Sequence, residues 1–391
     1  MSAPHVYGWC PGALRPMMSG DGLVVRIRPP LGQLSQEQAH KLAELSLTYG
    51  NGRMDVSSRA NLQLRGITPE AHPTVIAALR ELDLVDETAA QESLRNVILT
   101  PFWSEGDATH HIAQSLTHAL TQAKDLSLPG KFGFAVDAGP EPVLGATAAD
   151  IRIEQGNAGL LLVADGADVG KPMTVGTAAQ DAIALARWFL DQGGAPDGRG
   201  RMHRLTARRA LPPEFAAPRR ASAPLPSPGL TPAGQLVALE FGQIPATSFQ
   251  ALADIAPLRL TPWRQLLVKT QQPIPPLPGL ILDATDPRLQ VIACTGAPGC
   301  LQARAQTRAL ARNLAPLLPQ GTQLHISGCA KGCARNTPCD LTLVAQENDT
   351  FDLILQGTAQ DAPRHTGLSA ATLPDALVSL FQKGQTNAPH L

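Results

Sequence analysis

Three short segments recur, in the same order, in two distant parts of this chain. Leu236-Val-Ala-Leu-Glu-Phe-Gly-Gln-Ile parallels Leu23-Val-Val-Arg-Ile-Arg, which reaches Gly32-Gln-Leu after a short insert. Phe249 to Ala253 parallels the stretch around Leu42 and Ala43. Leu260-Thr-Pro-Trp-Arg264-Gln-Leu-Leu-Val parallels Val56-Ser-Ser-Arg59-Ala-Asn-Leu-Gln-Leu. A repeat of this kind constrains the fold because each copy is a supersecondary unit that must bury its apolar face against something else. In the first copy, Gly22 to Arg28 reads as a strand and Ser35 to Leu47 as an amphipathic helix capped by Ser35. Met54 to Ile67 then alternates, with Val56, Leu62, Leu64 and Ile67 as the apolar set, and a second helix spans Glu70 to Leu84. That β-α-β-α order is half of a ferredoxin-like arrangement.

Between the copies, Leu211 to Pro232 is rich in Pro, Ala and Ser and reads as an extended linker. Beyond the second copy, Val291-Ile-Ala reads as a strand, and Leu301 to Leu318, rich in Ala, Leu and Arg, as a helix. Leu341-Thr-Leu-Val-Ala and Phe351-Asp-Leu-Ile-Leu flank a Gln-Glu-Asn-Asp turn and read as a hairpin. The expected class is α+β.

Five of the six cysteines lie beyond residue 290, and four form two pairs, Cys294-x5-Cys300 and Cys329-x3-Cys333. Two thiolate pairs brought together by folding suit a 4Fe-4S cluster, which takes four Cys ligands. Gly328 and Gly332 let the backbone curl so that N–H groups point at sulfur, and Lys331 and Arg335 offset the cluster's negative charge. Other readings stay open at this point. They are a zinc site, although neither pair has the usual C-x2-C spacing, a disulfide framework, and unliganded thiols. Cys339 and Cys10 read as plain thiols, with Cys339 close enough in sequence to substitute for a ligand.

No apolar run approaches bilayer length, and the N-terminus shows no charged region followed by an apolar core, so a cytoplasmic protein with free thiols is expected. A formal charge of −1 argues against general affinity for nucleic acid or membrane surfaces.

Basic residues nevertheless gather in the first copy. Arg26 and Arg28 share one face of the first strand. Arg59, Asn61, Gln63 and Arg65 follow within a few residues, Arg95 precedes Asn96-Val-Ile-Leu, and Lys131 heads the strand-like run Phe132 to Val136. Arginine's planar fork matches carboxylates, which suits a polycarboxylate ligand; taken singly, each reads more readily as a solvated surface charge.

These motifs together resemble the sirohaem-dependent nitrite/sulfite reductase superfamily and, within it, the precorrin-3B synthase family. The resemblance is carried by Ser58-Arg59-x-Asn61-x-Gln63-x-x-Gly66-Ile, Arg95-Asn96-Val, Leu128-Pro-Gly-Lys131-Phe, the cysteine tetrad and the repeat, so it covers most of the chain. It implies half-domains at 1–86 and 230–289, a reductase-like α/β domain at 87–205, a linker at 206–229 and an iron–sulfur domain at 290–391. One departure stands out. Reductases acting on sulfite resemble Lys-Phe-Lys where this chain has Lys131-Phe-Gly133. Loss of a cationic proton donor hinders a six-electron reduction but not an oxygenation.

The resemblance implies O2-dependent hydroxylation of precorrin-3A at C20 with γ-lactone formation, in cobalamin biosynthesis. Arg26, Arg28, Arg59, Asn61, Gln63, Arg95 and Lys131 would hold the macrocycle's acetates and propionates. Cys294, Cys300, Cys329 and Cys333 would hold the 4Fe-4S cluster. It also suggests a mononuclear non-haem iron, for which His110, His111, Glu105 and Asp107 are a weak candidate set. No G-x-G-x-x-G follows an expected strand, so electrons derived from NADH are expected to arrive through a separate reductase. The alternatives are a sirohaem nitrite or sulfite reductase and a non-enzymatic iron–sulfur electron carrier.

Overall fold

A computed structural model describes residues 11–386 of the chain, and Cys10 lies outside the described residues. They divide into two compact units, one of residues 11–17 and 23–282, the other of residues 18–22 and 283–386. Among the described residues no helix is long and apolar enough to cross a membrane.

The larger unit is built on the repeat. Gly22–Ile27, Leu62–Ile67 and Arg53–Val56 form neighbouring antiparallel strands, and Gly234–Leu239, Gln265–Val268 and Leu258–Leu260 do the same in the second copy. The two copies exchange strands. Gln243–Pro245 of the second copy pairs with Arg53–Val56, and Gln33–Leu34 of the first pairs with Leu258–Leu260. Helices Gln36–Tyr49 and Ala246–Ile255 pack against each other, filling one core with Leu42, Ile67, Phe249 and Leu258. The first helix starts where Ser35 and Gln38 form a reciprocal capping box. The repeat reaches the tight turns. Ser57 Oγ accepts from Arg59 N and Asn61 N, and Thr261 Oγ1 accepts from Trp263 N and Gln265 N. Ala60 and Arg264 both adopt the left-handed conformation, with φ of 52° and 60°. The second helix of the first copy, His72–Glu81, is shorter at both ends than the pattern suggests.

A second sheet in this unit has three parallel strands, Val97–Leu99, Phe134–Asp137 and Ile151–Gln155, followed by antiparallel Leu160–Ala164 and Val169–Met173. Helices Ala108–Gln122 and Ala178–Asp191 cover it, burying Phe134 and Phe189. The Pro-rich stretch is not a free tether. Ala217–Pro218 adds an edge strand to this sheet, and Arg219 forks onto Glu154.

The smaller unit repeats that pattern. Val291–Ala293, Leu324–Ser327 and Cys339–Ala345 are parallel, and Thr350–Gly357 and His365–Ser369 follow antiparallel. The expected helix over Leu301 to Leu318 is corrected to Thr307–Leu314 with a short 3-10 turn at Ala315–Leu317. Helix-forming composition at residues 301–306 is overridden by tertiary bonds, since Arg304 N donates to Gly328 O at 2.9 Å and Ala297 N to Ala305 O at 2.9 Å.

Candidate functional site

In the smaller unit, topology brings the two cysteine pairs to one edge. Cys294 follows the end of Val291–Ala293, and Cys329 follows the end of the adjacent parallel strand Leu324–Ser327. Both therefore emerge at the carboxyl ends of neighbouring strands, where open α/β sheets bind ligands. Gly328 N donates to Cys294 Sγ at 3.0 Å. A Cβ at Gly328 would lie 2.7 Å from Ala303 Cβ and 3.3 Å from the Cys294 sulfur, so only glycine fits. Gly332, at φ 61°, turns the chain between Cys329 and Cys333. Ser19 Oγ donates to Gly299 O at 2.5 Å, pinning the backbone beside Cys300.

Burial pushes the Cys333 thiol up, Lys331 offsets part of this, and Cys329, Cys294 and Cys300 add to the rise. Burial likewise raises Cys294, against the pull of the Gly328 and Gly296 amides and Thr307. Cys333 thus feels the other three sulfurs and Cys294 feels Cys300, a repulsion that a bound cationic iron centre relieves. All four are free thiols. Among the described residues no three His, Cys, Asp or Glu side chains converge on a point as ligands of a single ion do. A cubane asks for something else, because its thiolates bind different irons and ring a volume. The four cysteines fit that group. Cys339 does not belong with them. It opens the third parallel strand, at the opposite edge from Cys294 and Cys329, and its Sγ donates to Gln323 O at 3.3 Å. Nearness in sequence therefore does not make it a substitute ligand.

In the larger unit, the sheet of the first half-domain has one apolar face and one polar face. Arg26 lies opposite Gln63, which lies opposite Asp55. With its amide oxygen turned toward Arg26, Gln63 accepts from the guanidinium at 3.0 and 3.3 Å. Arg65 Nη1 reaches Asp55 Oδ2 at 3.3 Å, and Gln243 Nε2 donates to Asp55 Oδ1 at 2.9 Å. This is not a solvent face, since Asp55, Asn61 and Arg65 are 7%, 4% and 4% exposed. Buried charge persists only when paired, and here it is. Asn61 Nδ2 is buried with no hydrogen-bond acceptor among the described residues, which makes it a donor suited to a ligand oxygen.

Arg59 and Lys131 are brought together, with Arg59 Nη1 donating to Lys131 O at 2.9 Å. Arg28 and Arg95 are engaged differently. Arg28 is buried past the end of the strand, where Nη1 donates to Glu92 O at 2.6 Å. Arg95 forks onto Asp86 at 2.9 and 3.0 Å and donates through Nη1 to Arg28 O at 2.9 Å. These two guanidiniums brace the end of the strand that carries Arg26. Gly133 is crowded, for a Cβ there would stand 2.6 Å from Asn96 Nδ2. The missing second lysine is therefore matched by a neighbour that fills its place.

The set His110, His111, Glu105 and Asp107 is not assembled as iron ligands. Both Asp107 oxygens take backbone amides, from Ser104 N at 2.6 Å and His110 N at 2.8 Å, because Asp107 caps the helix Ala108–Gln122. His110 Nδ1 accepts from Gly106 N at 3.0 Å, and its ring stacks on Trp103. Among the described residues no three His, Cys, Asp or Glu side chains gather as a mononuclear iron requires.

Several partners escaped the sequence reading. Glu92 lies 64 residues from Arg28 and Asp86 nine from Arg95, and no motif marks either. Arg259 had a signal, because extending the repeat by one residue sets it against Asp55. It is 2% exposed, sits 3.6 Å over the Trp103 ring, and donates to Pro101 O at 2.8 Å. Burial pushes its guanidinium down to about 10, so it stays charged at neutral pH.

Residues 15–82 match the profile of the nitrite/sulfite reductase ferredoxin-like half domain. A precorrin-3B synthase from a Sinorhizobium species is 32% identical over 390 residues, spanning 91% of this chain and 84% of the relative. The chain belongs to the precorrin-3B synthase family. A ferredoxin–nitrite reductase of Synechococcus elongatus is 24% identical, spanning 96% of this chain and 89% of its own. The solved structure of the Mycobacterium tuberculosis NirA protein superposes with a TM-score of 0.68 at 18% identity, covering 94% of this chain and 82% of that one. That likeness carries the α+β fold with its duplicated ferredoxin-like half-domains. Members of the family and its reductase relatives are enzymes, so the chain is placed among oxidoreductase-type enzymes related to cobalamin biosynthesis.

Proposed function

We propose that the chain is itself a precorrin-3B synthase, a monooxygenase that hydroxylates precorrin-3A at C20 while a ring A acetate closes to a γ-lactone. The observation that carries this reading is 32% identity across 91% of the chain to a protein of that name. In the proposed reaction one atom of O2 enters the macrocycle and the other leaves as water. Two protons and two electrons balance the step, the electrons coming from NADH through a separate reductase.

The residues of the larger unit supply the binding chemistry. Arg26, Arg59 and Lys131 neutralise acetates and propionates, with arginine offering forked donors and lysine a point charge. Asn61 donates its unmatched amide, and Gln63 orients Arg26. Arg28 and Arg95 act by holding the strand end. A 4Fe-4S cluster on Cys294, Cys300, Cys329 and Cys333, when bound, supplies the single electrons that ground-state O2 requires to react with a closed-shell macrocycle. Gly328 N–H stabilises the thiolate of Cys294.

Anaerobically purified protein given precorrin-3A, a reductase, NADH and 18O2 tests the proposal. One labelled oxygen in the lactone product supports it. A second reading, nitrite or sulfite reduction with sirohaem, draws on the 24% identity to ferredoxin–nitrite reductase. Sharp sirohaem absorption bands and nitrite or sulfite turnover, without oxygenation, would replace the first reading with the second. Glycine at position 133, where reductases acting on sulfite resemble lysine, supports the first.

A further inference from the structure

We infer that Asn96 is a positioning residue that sets how Arg59 and Lys131 face their ligand, an inference resting on the reading of that face as a carboxylate site. Asn96 is 3% exposed and grips the segment Lys131–Phe134 from two sides. Its Nδ2 donates to Phe132 O at 2.9 Å, and its carbonyl accepts from Phe134 N at 2.9 Å. The next carbonyl back, that of Lys131, holds the Arg59 guanidinium at 2.9 Å. Asn96 thus grips the Phe132–Gly133 peptide, next to the Lys131–Phe132 peptide whose carbonyl holds Arg59.

Two further contacts lock the segment. Gly133 N donates to Asp150 Oδ2 at 3.0 Å, and Asp150 N returns a bond to Gly133 O at 2.7 Å. Asn96 also occupies the space beside Gly133, where a Cβ would come within 2.6 Å of its Nδ2. Asn96 and Gly133 form a matched pair. Without the Asn96 donor, the carbonyl of Phe132, a residue 2% exposed, is left unsatisfied. Turning the Phe132–Gly133 peptide toward another donor disturbs the adjoining Lys131–Phe132 peptide, which is otherwise held by Phe132 N donating to Pro129 O at 2.7 Å.

The test is a double-mutant cycle of Asn96→Ala and Gly133→Ala in the full chain, with iron and sulfide content as the check on folding. Expected for Asn96→Ala is a KM for precorrin-3A on the order of tenfold higher with kcat little changed, because one buried hydrogen bond acts only through binding groups. Gly133→Ala should do similar harm. The double variant should be no worse than either, since both singles disrupt one contact. Strictly additive losses, or an unchanged KM in Asn96→Ala, would overturn the inference. If Asn96→Ala does not fold, Asn96→Leu keeps roughly the volume without a charge, loses the donor and carries the same expectation. If the unaltered protein binds no precorrin-3A, the functional reading fails instead. Hydrogen exchange at the Gly133 and Phe134 amides then decides: faster exchange in the Asn96 variant supports the positioning role, and unchanged exchange sinks it.

Discussion

Gln243 donates its amide to Asp55 at 2.9 Å, joining the second half-domain to the first. The reciprocal contact runs the other way, with Arg259 Nε donating to Gln33 Oε1 at 2.8 Å. Each half thus lends a strand to the other's sheet, so both sheets end on short edge strands of two or three residues, a form that resists edge-to-edge aggregation. Ile244, fully buried on the exchanged strand, should matter to both halves. Ile244→Ala is expected to cost about 2–5 kcal/mol. Urea unfolding should show both halves lost in one transition; separate transitions would mean that the exchange does not couple them.

The cysteines divide by sheet edge. Serine at Cys294, Cys300, Cys329 or Cys333 should strip iron and acid-labile sulfide from the purified protein. Cys339→Ser should leave both at the unaltered level, because Cys339 lies at the other edge of the parallel strands. Loss of the cluster in Cys339→Ser would contradict the assignment.

Arg59→Ala should weaken precorrin-3A binding by about tenfold to a hundredfold, the loss of a charge-assisted contact, with iron and sulfide content unchanged. Equilibrium titration beside an iron assay separates the two effects. Concurrent loss of the cluster would show that Arg59 serves folding and not recognition.

Asp137 is 3% exposed, and burial raises its carboxyl from 3.8 to about 6, although the amides of Val143 and Leu144 pull against the rise. Between those values the folded chain keeps a proton that the unfolded chain has released. Stability contributed at low pH is therefore lost as pH climbs through about 4 to 6. Asp137→Asn removes that dependence. Between pH 5 and 7.5 the unaltered protein should lose on the order of 1 kcal/mol more unfolding free energy than the variant. Equal losses in denaturant titrations at the two pH values would place the Asp137 proton elsewhere.

Much of the local structure was legible without coordinates. The helix beginning at Ser35 announces itself through its capping box with Gln38, and the repeat aligned Val56 to Leu64 with Leu260 to Val268 in the register the strands adopt. Residues 301–306 were misread as helix because composition reports only intrinsic preference, while the bond from Arg304 N to Gly328 O belongs to the fold. Asp107 looked like a metal ligand because a carboxylate near histidines reads the same whether it binds a cation or caps a helix.

The sequence by itself determined the family, the duplicated scaffold and the four thiols, since these rest on residue identity and spacing along the chain. Tertiary structure alone decided which charges are already matched. Arg95 and Arg28 meet Asp86 and Glu92, whereas Asn61 Nδ2 retains an unmet donor. It also separated Cys339 from the other thiols, because strand direction, and not distance in sequence, sets the edge at which a side chain emerges. A hydrogen bond or ion pair depends on distances of a few ångströms between residues nine or 64 positions apart, and spacing along the chain carries no record of them.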